Sequence, residues 1–190
     1  MNSVKAIAGD SVDAAVIRPT AEFEQVYAGG VFHILCYDKD GNLKWEEKGP
    51  NLVVNTGLQY MVSTSLDAAA QTTTWYLGLI STLTSIVGGD TMSSHTGWTE
   101  DTNYSQANRP TATFGTATTA NPSVLDNSAS VAVFSINATT TINGAFLTSS
   151  NTKGGTTGTL FSAKAFTGGA RSVINGDTLN VTYTFSLTGT

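Results

Sequence analysis

The chain has 190 residues, a net charge of −5 and a single cysteine. That length buries roughly 70% of the unfolded surface in one all-β body, so neither disulfides nor a structural metal are needed. Nine basic residues spread over 190 positions form no patch, which argues against a nucleic-acid partner. No stretch approaches the 18 or so apolar residues of a membrane span, and Met1–Asp10 lacks the apolar core of a secretory signal, so assembly in a cytoplasm is expected.

Charge is distributed unevenly. Thirteen charged side chains lie in the first 50 residues and ten in the remaining 140. Thr contributes 31 residues and Ser 18, so hydroxyls replace Lys and Glu as the wetting groups. Thr suits a pleated surface, and a neutral surface suits close packing against neighbours because few charges must be desolvated. An all-β fold rich in turns accounts for the same composition equally well.

Residues 1–26 alternate loosely through Val12, Ala14 and Val16, with Ile17 following, before Arg18-Pro19 argues against helix. They read either as an N-terminal arm that gains order on a neighbour or as the first strand of the sheet. Residues 27–190 read as the body. Gly29-Gly30 opens a strand over 31–37 that contains Cys36, a small buried thiol. Asp38-Lys39-Asp40-Gly41-Asn42 turns the chain into a second strand, Leu43–Glu47. The same turn imitates the start of a calcium loop, but the twelfth position is Gly49 where a bidentate Glu is required.

Asn55 is expected to cap the only helix, over 56–66, with Leu58, Met61, Val62 and Leu66 on its apolar face. The uninterrupted apolar run within residues 72–80 predicts a central strand. Residues 81–110 read as a long irregular segment carrying Trp98, Tyr104 and Arg109, types enriched at interface hot spots. They either form a working surface or pin the loop to the body. Strands are expected at Thr111–Thr118, Ser130–Ile136, Thr141–Ser149, Gly158–Phe166 and Asp177–Leu187. Together these predict a two-sheet sandwich of the jelly-roll kind, with Phe134, Ile136, Phe146, Leu160, Phe166, Tyr183 and Phe185 in its core.

Reactive constellations are missing from the sequence. His33 and His95 with Cys36 make no zinc spacing. No Ser sits in a nucleophile-elbow motif, no phosphate-binding glycine loop precedes a helix, and Glu100-Asp101 are adjacent, a spacing at which two acids usually diverge. The reading is a protein that is not an enzyme, with no cofactor, no metal and no small-molecule substrate.

Several motifs follow one another in an order that carries a resemblance. They are Tyr37-Asp38-x-Asp40-Gly41-Asn42-Leu43-Lys44-Trp45, Asn51-Leu52-Val53-Val54-Asn55-Thr56-Gly57-Leu58, Thr74-Trp75-Tyr76-Leu77-Gly78-Leu79-Ile80 and Gly89-Asp90-Thr91-Met92-x-Ser94-His95-x-Gly97-Trp98-Thr99-Glu100. Thr141–Thr148 and Gly176–Leu179 extend the series. In this respect the chain resembles small virion structural proteins of tailed bacteriophages. The resemblance implies a cement or decoration protein on the capsid surface, clamping neighbouring major capsid subunits and associating with its own copies. A tail or fibre component that recognises a host glycan or protein is the alternative. The residues expected to contact partners are Val12, Val16 and Ile17 in the arm and Trp98, Tyr104 and Arg109 in the loop.

Overall fold

The structure, a computed structural model, describes residues 25–190. Two antiparallel sheets face each other across one core. The first contains β1 (Val26–Tyr37), β2 (Leu43–Pro50), β7 (Ser123–Asp126), β8 (Ala132–Ser135) and β13 (Thr178–Gly189), in the order β2-β1-β13 with β7 and β8 sharing the far edge of β13. The second contains β3 (Leu52–Val53), β4 (Trp75–Leu83), β5 (Trp98–Asp101), β6 (Thr111–Ala112), β10 (Gly144–Thr148) and β11 (Leu160–Ala165). Its order is β3-β11-β10-β4-β5, with β6 also on β4. A small ladder joins β9 (Thr140–Ile142) to β12 (Arg171–Val173).

The expected sandwich with one helix is therefore the fold. The hairpins β1–β2 and β10–β11 keep consecutive strands in one sheet, a simpler order at those points than the interlocked Greek keys of a jelly roll. Register explains the core. On β1 the inward positions are Phe32, Ile34 and Cys36, and on β13 Leu179, Val181 and Tyr183, the period-2 alternation of a half-buried strand. Phe32 and Tyr183 pack with ring centres 4.7 Å apart. Opposite them lie Leu77 and Leu79 of β4, Ala145 and Leu147 of β10 and Phe161 of β11. Six of the seven expected core residues are buried, and Phe185 is half-buried against the same cluster.

Gly29-Gly30 does not open β1 but lies inside it, since pairing with β13 runs from Val26 to Tyr37. Gly30 is required there because a Cβ would sit 2.5 Å from the Tyr183 hydroxyl. Gln25 exchanges both backbone hydrogen bonds with Thr190, so the ladder continues back to the first described residue. The 38–42 turn closes as expected: the Asp38 carboxylate accepts from the backbone N–H groups of Asp40 and Asn42, both at 2.9 Å, and Gly41 takes φ +84°. Between β7 and β8 the ladder is interrupted and Asn127 fills the gap. Its fully buried side chain accepts from the Tyr183 N–H at 2.6 Å and donates to the Val181 carbonyl at 3.2 Å.

Some expected strands are shorter or divided. Thr111–Thr118 is a strand only over Thr111–Ala112, and Asn143 splits Thr141–Ser149 into β9 and β10. The helix α1 spans Asn55–Leu66, but its cap is Val54 and no side chain caps it. Of the expected apolar face only Met61 turns inward. Gly57 is buried with Tyr60 and Met61 partly so, whereas Leu58, Val62 and Leu66 are exposed, the last at 85%. Contact with β11 decides this: a Cβ on Gly57 would lie 2.2 Å from the Phe161 carbonyl oxygen, and Thr56 donates its hydroxyl hydrogen to the Leu160 carbonyl at 2.6 Å.

Candidate functional site

The segment after β4, expected to be irregular, covers the outer face of the second sheet. Its Met92 and the Trp98 that begins β5 pack on Val54, Ile80, Phe146, Leu160 and Ala163 in a second cluster. Residues 77–80 are consequently buried from both sides, which is why β4 reads as a continuous apolar run. Asp90 holds the segment down by accepting from the Trp98 indole N–H at 3.0 Å and the Val87 N–H at 3.1 Å. His95 stacks on Trp98 at 3.8 Å and its Nδ1 lies 2.9 Å from the Trp98 carbonyl oxygen.

Tyr104 is fully buried, edge-on to Phe134 at 5.0 Å. The Lys153 ammonium sits over its ring and donates to the carbonyls of Tyr104 and Gln106, each at 2.8 Å. Arg109 is 2% exposed and donates to both Glu100 carboxylate oxygens, to the Ser150 carbonyl at 2.9 Å and to the Gly155 carbonyl at 2.8 Å. Trp98, Tyr104 and Arg109, expected as contact residues, are buried in the chain, where the Trp98 indole N–H, the Tyr104 ring and the Arg109 guanidinium meet partners that pin the loop. Val12, Val16 and Ile17 lie outside the described residues. Cys36 is buried as expected, and desolvation followed by the nearby Asp177 charge pushes its thiol up to about 12, so it stays protonated and unreactive at neutral pH.

The surface that remains has two unusual properties. Of the ten charged residues after position 50, only Asp67 is exposed. The others are enclosed or half-enclosed, several in ion pairs, among them Lys164–Glu47 at 3.0 Å, Lys44–Asp177 and Arg109–Glu100. Among the described residues the other exposed charges, Lys39, Asp40, Lys44, Glu46 and Lys48, all belong to the β1–β2 hairpin, whose edge strand they protect from unwanted pairing. The second property is the outward ridge Leu58-Val62-Leu66, on a helix that carries no charged residue. Spacing of i, i+4, i+8 forms a ridge of the kind helices use to pack on one another.

Beside the other face of the helix, a cavity of about 190 Å³ opens between the sheets. Tyr60, Trp75, Phe114, Phe161, Tyr183 and Phe185 line it together with Met61, Leu125 and Leu147. Among the described residues no group of three or more His, Cys, Asp and Glu side chains could hold a metal ion, and no helix is long and apolar enough to cross a membrane. Fold and surface together define a β-sandwich whose neutral exterior carries an apolar helical ridge. Comparison with protein-family models, curated proteins and solved structures finds no match.

Proposed function

We propose that the chain is a non-enzymatic structural protein of a tailed-phage virion, a cement or decoration protein that lies on the capsid and bridges neighbouring major capsid subunits. The observation that carries the reading is the neutral exterior combined with the Leu58-Val62-Leu66 ridge. A surface of this composition associates over a broad area while desolvating few charges, and three exposed apolar side chains aligned on one helix face supply a contact ridge. The resemblance of the ordered motifs to small virion proteins supplies the setting.

A tail or fibre component requires a surface for a host glycan or protein, and the aromatic residues suited to it, Trp98 and Tyr104, lie inside the body. Quantitative mass spectrometry of purified particles from the genome encoding the chain tests the assignment. Hundreds of copies per particle are expected. A dozen or fewer assigns it to the tail, and none removes it from the virion.

A further inference from the structure

We propose that the cavity between the sheets is a binding site for one ring-sized apolar group, a monocyclic aromatic or a branched aliphatic of similar bulk. The inference is independent of the capsid assignment. At about 190 Å³ the cavity is too small for a drug-sized molecule and about the right size for a single substituted ring. Apolar cavities of roughly 150 Å³ stay dry and take up benzene, because water finds no hydrogen-bonding partner within them.

The lining supplies the selectivity. No charged residue contributes to the walls, and the two hydroxyls on the lining side chains each accept from elsewhere in the chain. Tyr60 Oη accepts from the Thr72 N–H at 2.8 Å. Tyr183 Oη accepts from Asn51 Nδ2 at 3.0 Å and lies 3.1 Å from the Ser162 hydroxyl. A sugar or carboxylate would leave most of its polar groups unpaired against these walls, so the site favours apolar ligands over them.

The aromatic walls meet edge to face. Tyr60 lies 5.0 Å from Trp75, Trp75 lies 5.3 Å from Phe161, and Phe161 lies 5.2 Å from Phe185, with interplanar angles of 88°, 70° and 80°. Rings so arranged hold one another in place and offer an incoming ring both faces and edges. Six of the nine lining residues are half-buried, so the cavity has a mouth through which a group enters. The same chemistry arrives either as a free small molecule or as the side chain of a neighbouring protein.

Methyl NMR on the full chain tests this. Met61 lines the cavity, whereas Met92 lies in the second cluster and serves as an internal control. Toluene is expected to shift the Met61 methyl saturably and leave Met92 in place. Leu125→Trp, which fills the cavity from a half-buried position, is expected to weaken toluene binding at least tenfold, and Leu147→Phe provides a second filling variant. N-acetyl-phenylalaninamide distinguishes the sources. If it shifts Met61 as toluene does, the site admits a side chain; if only toluene does, the site takes free molecules. The proposal is overturned if neither probe moves Met61, if Met92 moves equally, or if both filled and folded variants bind toluene as tightly as the parent.

Discussion

Arg109 and Glu100 meet as a two-pronged ion pair inside the protein, Nε donating to Oε1 at 2.8 Å and Nη2 to Oε2 at 2.7 Å. The Gly154 N–H donates to the same carboxylate at 2.8 Å, so one charge pair ties β5 to the turn between β10 and β11. Replacing Arg109 by Ala leaves Glu100 without its cation and two carbonyls without their donor. A loss of about 3–5 kcal/mol is expected, the range for breaking a buried pair from one side. Arg109→Lys keeps the charge but not the planar fork and should still lose a large part of it. Urea unfolding of both variants measures the effect, and a loss below 1 kcal/mol for Arg109→Ala would show that the pair does not organise this end of the body.

Gly57 reverses a familiar substitution rule. Within a helix, Gly→Ala ordinarily gains about 1 kcal/mol. Here the new Cβ would meet the Phe161 carbonyl oxygen at 2.2 Å, a backbone atom that cannot swing aside. Gly57→Ala is therefore expected to destabilise by about 1–3 kcal/mol through overpacking. Gly89→Ala, where nothing lies within 4 Å, is the comparison. Thermal unfolding of the two variants checks the sign.

Glu47 should make stability fall in acid. Burial acts to raise its pKa, but the Thr167 N–H at 2.8 Å and the Lys164 and Arg171 cations outweigh it, and the folded-state value lies below the ordinary one. A depressed folded pKa stabilises fully above the unfolded value of about 4.3 and is lost as pH falls through the folded value. The urea midpoint is expected to drop between about pH 5 and pH 3. Glu47→Gln should start lower, because Lys164 is left buried and unpaired, and should show a shallower acid decline. An equal decline in both proteins would place the acid sensitivity elsewhere.

The outward helical ridge separates stability from association. Val62 and Leu66 are 60% and 85% exposed, so changing both to Lys should alter stability by no more than about 0.5 kcal/mol. The same double variant should occupy particles, or associate with its own copies, much more weakly. Sedimentation and particle-binding assays on the folded variant decide this, and unchanged association would remove the ridge from the contact.

Deleting residues 1–24 is expected to leave a folded sandwich, since the β1–β13 ladder is already closed by Gln25 and Thr190 at 3.2 and 3.0 Å. Particle occupancy should fall if that segment contributes to assembly, as its Val12, Val16 and Ile17 suggest. Undiminished occupancy would assign the contact wholly to the body, and loss of folding would make the segment part of the core.

Local patterns by themselves determined much of this architecture. Alternation along Leu179, Val181 and Tyr183 chose the inward face of β13, Asp38 with Gly41 specified a turn, and the apolar run at 77–80 announced a central strand. These features depend on neighbours a few residues apart, where periodicity and turn chemistry act directly. Only the tertiary structure decided which face of α1 is buried. Spacing offered Leu58, Met61, Val62 and Leu66, of which Met61 packs inward; contact with the Phe161 backbone needs a residue without a side chain, and Gly57 turned the other three outward. The fate of Trp98, Tyr104 and Arg109 was likewise set by partners far along the chain: Phe146 for the first, Phe134 and Lys153 for the second, Ser150 and Gly155 for the third. Residue type states what a side chain can bind, but whether it meets a partner inside or outside the molecule depends on how distant strands are brought together.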